Sequence, residues 1–148
     1  MVAGKLSFRT KTVERAYRYW ASKCGPGRMP RRSDIRPEEI PSLLPHVFLV
    51  DVRRDPLEFS FRIIGTEICS LAGRDYTGLR VNAEEYGPDW KSVFEVYWQV
   101  VHSATPEVTV RYAPWADREF LLYERLIAPL SSDGVTIDML FGTLHQIT

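Results

Sequence analysis

Pro37 to Gly78 reads PEEIPSLLPHVFLVDVRRDPLEFSFRIIGTEICSLAGRDYTG. Two apolar runs, Pro45–Val52 and Glu58–Ile64, flank Arg53-Arg54-Asp55-Pro56, which has turn character. In the second run Phe59, Phe61 and Ile63 alternate with Ser60 and Arg62, the pattern of a half-buried strand. Thr66–Ala72 is a short segment that closes on Gly73. Pro37 can open one helical turn, and Pro41 and Pro45 keep that helix from growing.

Upstream, Thr12 to Lys23 predicts an amphipathic helix. Val13, Ala16, Tyr17 and Trp20 fall at i, i+3, i+4 and i+7, with Thr12 as its N-cap. Cys24-Gly25-Pro26-Gly27 stops it, and Gly25–Arg36 reads as a linker. Downstream, Asp89–Ser103 is the clearest helix. Trp90, Val93, Phe94, Tyr97, Val100 and Val101 form its apolar face, and Lys91, Ser92, Glu95, Gln99 and His102 its polar side. Three strands are expected after it: one around Val108, Val110 and Tyr112, then Phe120–Leu130, then Val135–Ile147. Ser131-Ser132-Asp133-Gly134 is the turn between the last two.

This order of elements and three sequence signatures carry a resemblance. The signatures are Pro37-Glu38-Glu39-Ile40-Pro41 leading through Leu43-Leu44-Pro45-His46 to Asp51-Val52, then Phe61-Arg62 with Gly65-Thr66, then Gly73-Arg74-Asp75 with Thr77-Gly78. The chain resembles a PAS domain, and within that family the bacterial group in which the PAS domain stands alone. The resemblance runs from about Pro37 to the end. It implies an α+β fold: a five-stranded antiparallel sheet with helices on one face, preceded here by a flanking helix. The implied division is 1–36 for the N-terminal helix and linker and 37–148 for the PAS-like domain. The implied role is a sensory and signalling module with no attached kinase, cyclase or DNA-binding segment. It would bind a small, mainly apolar ligand, a protein partner, or a second copy of itself. A homodimer is expected through the stripe of Val13, Ala16, Tyr17 and Trp20. The same helix folded back on its own sheet is an equal alternative.

Composition narrows the function classes. The chain has 148 residues, 45% of them apolar and 12% aromatic, enough for one packed domain. Its 19 basic and 19 acidic residues balance, which favours neither nucleic acid nor an anionic membrane. No apolar run approaches the roughly 20 residues of a membrane span. The N-terminal MVAGKLSFRTK has no apolar core of a secretory signal, so a cytoplasmic location is expected. Cys24 and Cys69 are not in metal-ligand spacing and are expected as free thiols.

No cofactor is expected. His46, His102 and His145 form no HExxH or Cys/His cluster, and His102 is on the polar face of its helix, which speaks against axial haem ligation. Cys69 stands in Glu-Ile-Cys-Ser-Leu, whereas light-oxygen-voltage flavin sensors use Asn-Cys-Arg-Phe-Leu. The chain carries no GxGxxG, P-loop or GxSxG motif, and no enzymatic activity is expected.

The polar residues within apolar strands draw attention instead. Glu124 shares a strand face with Leu122, Leu126 and Ala128, where an unpaired carboxylate would be costly. Arg62 is its expected partner, with Arg74 as a second. Such a pair is either structural or aimed at a small polar ligand, and the sequence supports both. Tyr97 and Trp98 are the remaining candidates for a ligand site, Trp98 because it sits off the centre of its helix stripe. Two rival readings stay open: an adaptor with a filled core, and a small enzyme on a cone-shaped α+β fold that would need Glu124 with Tyr97 or Tyr112.

Overall fold

A computed structural model describes residues 6–113 and 118–147 of the chain, so the start of the segment read above for a secretory signal lies outside it. The first element is α1, Lys11–Ser22. Its N-cap is Thr10, whose hydroxyl accepts from the Val13 N–H at 3.2 Å. Both Thr10 and Thr12 suit the role by type. Thr10 takes it because its own hydroxyl is held from the sheet by Glu124, at 2.7 Å.

Residues 23–46 then wrap the end of α1 with short 3₁₀ turns at Arg32–Asp34, Pro37–Glu39 and Leu44–His46. The Pro-Glu-Glu-Ile signature here serves α1. Glu39 accepts from the Tyr19 hydroxyl at 2.7 Å and pairs with Lys23 at 2.9 Å, while Ile40 and Leu43 bury beside the helix.

The sheet comprises β1 (Val47–Arg53), β2 (Glu58–Ile64), β3 (Glu107–Ala113), β4 (Arg118–Leu130) and β5 (Met139–Gln146). Every pairing is antiparallel, in the order β2-β1-β5-β4-β3. The expected α+β architecture is therefore present. The helices α2 (Thr66–Ala72) and α3 (Trp90–Ser103) cover one face, here called inner. Helix α1 covers the outer face. The buried line of α3 is Val93, Val96, Tyr97 and Val100. Trp90, Phe94 and Val101 lie at its margins, so the helix is turned slightly from the expected face.

Two local differences from the expected strands have clear causes. The β1–β2 register shifts between Leu49 and Val50, with Leu49 opposite Ile63 and Val50 opposite Phe61. A bulge of this kind flips the alternation. Ile63 is therefore exposed and Ile64 turns inward. The last strand starts at Met139, not Val135, because Asp133 takes the N–H groups of Val135 and Thr136 at 2.8 and 2.7 Å, which holds that stretch in a loop.

The core is two layers around one sheet. Phe48, Val50, Phe59, Phe61 and Leu140 meet α3 on the inner side. Val47, Leu49, Leu126, Ala128, Leu130 and Phe141 meet Val13, Ala16 and Trp20 on the outer side. Trp20 is fully buried and its Nε1 donates to the Pro129 carbonyl at 2.9 Å. The stripe expected to dock a second protomer is thus spent on the chain's own sheet. This corrects the free-stripe expectation for Val13, Ala16 and Trp20, while Tyr17 stays half-buried against Phe8 and Trp20.

Candidate functional site

The inner face is not completely filled. A cavity of about 50 Å³ lies between the sheet, α2 and α3. Phe48 of β1, Phe61 and Ile64 of β2, and Leu144 of β5 form its floor. Ile68 and Ala72 of α2 and Tyr97 of α3 form its roof. Tyr76 and Tyr86 close one side from the segment that joins α2 to α3. That segment is fixed along the β2 edge: the Phe61 N–H donates to the Leu79 carbonyl at 3.0 Å, and the Gly78 N–H to the Phe61 carbonyl at 2.7 Å. Gly78, at φ 86°, makes the turn that allows this return.

The aromatic walls pack edge to face and offset. Phe61 meets Tyr76 at 6.2 Å, Tyr86 at 6.1 Å and Tyr97 at 6.5 Å between ring centroids. The Phe48 ring lies directly on Gly142 of the neighbouring strand, where an added Cβ would overlap it. The glycine sets how deep Phe48 sits, and with it the cavity floor. Burial pushes the Tyr86 and Tyr97 hydroxyls well above the usual phenol range, so both remain neutral hydrogen-bonding groups.

One charge enters this aromatic box. Arg125 of β4 is only 4% exposed and lines the cavity. Its guanidinium lies 6.0 Å from the Tyr97 ring and 5.9 Å from the Tyr123 ring, at the limit of a cation–π contact. Its Nε and Nη2 make no hydrogen bond among the described residues. Thr109, directly opposite on β3, has a buried Oγ1 in the same condition. Sequence reasoning singled out Glu124 and passed over its neighbour. The signal was present, since two adjacent charges in a strand that is apolar on both sides must bury on opposite faces.

A PAS-domain family model matches residues 8–145. The chain belongs to the PAS domain family. Its fold is shared with a sensory box sensor histidine kinase from Vibrio cholerae, at 14% identity and a TM-score of 0.50 over 75% of this chain and 86% of that one. A light-oxygen-voltage domain solved with a flavin analogue aligns over 75% of this chain and 83% of its own, at 16% identity and a TM-score of 0.48. No curated protein matches the sequence.

Of the residues expected to form a ligand site in this PAS domain, Tyr97 lines the cavity and four others stand elsewhere. Glu124 is fully buried, but on the outer face. It accepts from the Arg9 N–H at 2.6 Å, the Thr10 N–H at 2.8 Å and the Thr10 hydroxyl at 2.7 Å. It is an anchor for the start of α1. Arg62 is exposed and pairs with Asp51 at 2.9 Å. The expected Arg62–Glu124 pair does not form, because β1 and β5 lie between their strands. Arg74 is exposed, stacks over Tyr76 at 4.5 Å and donates to the Glu85 carbonyl at 3.2 Å. Trp98 is 41% exposed and stacks on His102 at 3.8 Å, away from the cavity.

The carboxylate–phenol arrangement of the enzyme alternative is not assembled. Glu124 and Tyr97 lie on opposite sides of the sheet, and Tyr112 is 59% exposed. Among the described residues no three His, Cys, Asp or Glu side chains are placed to hold a metal, and no helix is long and apolar enough to cross a membrane.

Proposed function

We propose that this PAS domain is a cytoplasmic, non-enzymatic sensory module whose inner cavity binds a small, mainly apolar ligand. The observation that carries the reading is the aromatic cavity of about 50 Å³ with a single buried arginine at its wall. A concave, mostly apolar hollow with few converging polar groups is the usual form of a small-molecule site. Its size favours a ligand of a few heavy atoms. Ligand pockets for larger molecules run to several hundred Å³, and this one would have to expand to hold a flavin or haem.

The alternative of an adaptor with a filled core is weaker. A core evolved only for packing gains nothing from an unpaired buried cation, which apolar residues of similar volume would replace at no loss of stability. A ligand can shift the domain between states only by binding one better than the other. The readout would then be a partner protein, or a second copy of the chain, that distinguishes those states at the surface.

Native mass spectrometry of protein purified from its source, with the same protein after unfolding and refolding as reference, tests this reading. A small molecule retained by the native chain and lost on refolding is the expected result. A chain that carries nothing, and whose melting temperature responds to no small apolar compound, would favour the adaptor.

A further inference from the structure

The chemistry around Arg125 narrows the ligand class; this step rests on the reading of the cavity as a ligand site. Arg125 is 4% exposed and belongs to none of the ion pairs among the described residues. Its two unpartnered atoms, Nε and Nη2, form one edge of the guanidinium. That edge presents two parallel N–H groups at the spacing of two carboxylate oxygens, the bidentate arrangement that arginine makes best. Two aromatic faces near 6 Å offset part of the desolvation of the charge but give the N–H groups nothing to donate to.

The surroundings fit an acid better than any other anion. Thr109 holds a further unpartnered buried polar atom in register with Arg125, on the same face of the sheet. It neighbours Arg125 but does not line the cavity. Tyr97 and Tyr86 do line it, and their hydroxyls, kept neutral by burial, can donate to an oxygen of a bound anion. Away from Arg125 the walls are Phe48, Phe61, Ile64 and Leu144, which suit hydrocarbon. With one cation present, a dianion such as phosphate would bury uncompensated charge against those walls. The volume of about 50 Å³ leaves room for a tail of only a few carbons.

We infer that the cavity binds a short-chain monocarboxylate, its carboxylate clamped by the Nε and Nη2 of Arg125 and its alkyl end against Phe61 and Leu144. Arg125 also borders a separate surface hollow of about 380 Å³ with Asp89, Ser92, Arg111 and Tyr112.

The test compares sodium propionate with propionamide, its neutral near-isostere, on the full chain at pH 7, with sodium chloride holding ionic strength constant. Propionate at about 100 times its Kd should raise the melting temperature by roughly 5–10 °C over the chloride control. It should also shift the Arg125 Nε–H resonance in the arginine region of the 15N spectrum. Propionamide should bind at least about ten-fold more weakly. Arg125→Met should abolish the response to propionate and leave that to propionamide. Should Arg125→Met not fold, the wild-type contrast and the Nε–H shift decide the matter alone. Equal binding of propionate and propionamide overturns the acid and leaves the cavity reading standing, as does stabilisation by isobutanol with none by propionate. If none of the three compounds binds, both readings fall.

Discussion

Glu124 and Arg125 are consecutive in β4 and are both buried, on opposite faces of the sheet. Glu124 faces α1 and is saturated: two backbone N–H groups and one hydroxyl converge on its carboxylate. Arg125 faces the cavity, and its Nε and Nη2 hold nothing among the described residues. One residue is committed to the fold and the next is held in reserve. The strand's two-residue period separates the two tasks.

That asymmetry gives substitutions of opposite consequence. Glu124→Ala strands the N–H groups of Arg9 and Thr10 and should cost about 2–4 kcal/mol. Arg125→Met replaces a buried cation with no ion-pair partner among the described residues by an apolar chain of similar length and should be neutral or stabilising in the absence of ligand. Urea unfolding curves with unchanged slopes would measure both. Equal destabilisation by the two substitutions would mean that Arg125 has a partner in solution.

The protonation behaviour of two loops separates into two pH windows. His46 has its pKa lowered, first by burial and then by the neighbouring His145 ring 4.8 Å away. In the folded state it binds its proton only at lower pH than the unfolded 6.5. The unfolded chain therefore holds more protons below that value, and stability present above pH 6.5 is lost as pH falls through the folded pKa. Asp133 is held down to about 2 by the Thr136 and Val135 N–H groups and the Ser131 hydroxyl. Its contribution is present above the unfolded 3.8 and is lost as pH falls toward 2. Thermal melts across pH should show two descents. His46→Gln should flatten the upper one, and Asp133→Asn should reduce the lower one, to which Glu38, Glu39 and Asp75 also contribute. A single descent unaffected by either substitution would contradict the assignment.

Much of the fold was readable from periodicity. Glu58–Ile64 and Thr66–Ala72 form where the alternation and the closing Gly73 place them, since local pattern and tertiary role agree. The misreadings share one physical source, the choice of which face a polar or apolar residue serves. Ile63 and Ile64 exchange places at a bulge that no run of apolar letters encodes. Glu124 was placed on the correct strand face, but that face belongs to α1, and its partners are main-chain N–H groups, which a sequence does not display. The cavity was the least legible feature. It exists because Gly142 lets Phe48 sink and because Tyr76 and Tyr86 return along the β2 edge, and both are contacts between residues distant in sequence.

The packing of α1 yields a prediction about the domain's boundary and its oligomeric state. A division after residue 36 would treat α1 as an appendage. Its stripe is instead half of the outer core: Val13, Ala16 and Trp20 are all 0% exposed, and the helix start supplies the donors that satisfy Glu124. A chain that begins at Arg31 would uncover Leu49, Leu126, Ala128, Leu130 and Phe141 as one apolar patch. It would also leave a buried carboxylate without partners. Contiguous exposed apolar surface of that kind drives association, so the shortened chain should self-associate or precipitate where the intact chain does not. Trp20→Ala, which leaves the helix in place but opens a hole beneath it, should cost about 3–5 kcal/mol. Light scattering of both chains at matched concentration, with urea unfolding of the variant, decides the point. A shortened chain that stays monomeric and as stable as the intact one would show that α1 does not belong to the core, and would return Val13, Ala16 and Trp20 to the role of a docking stripe.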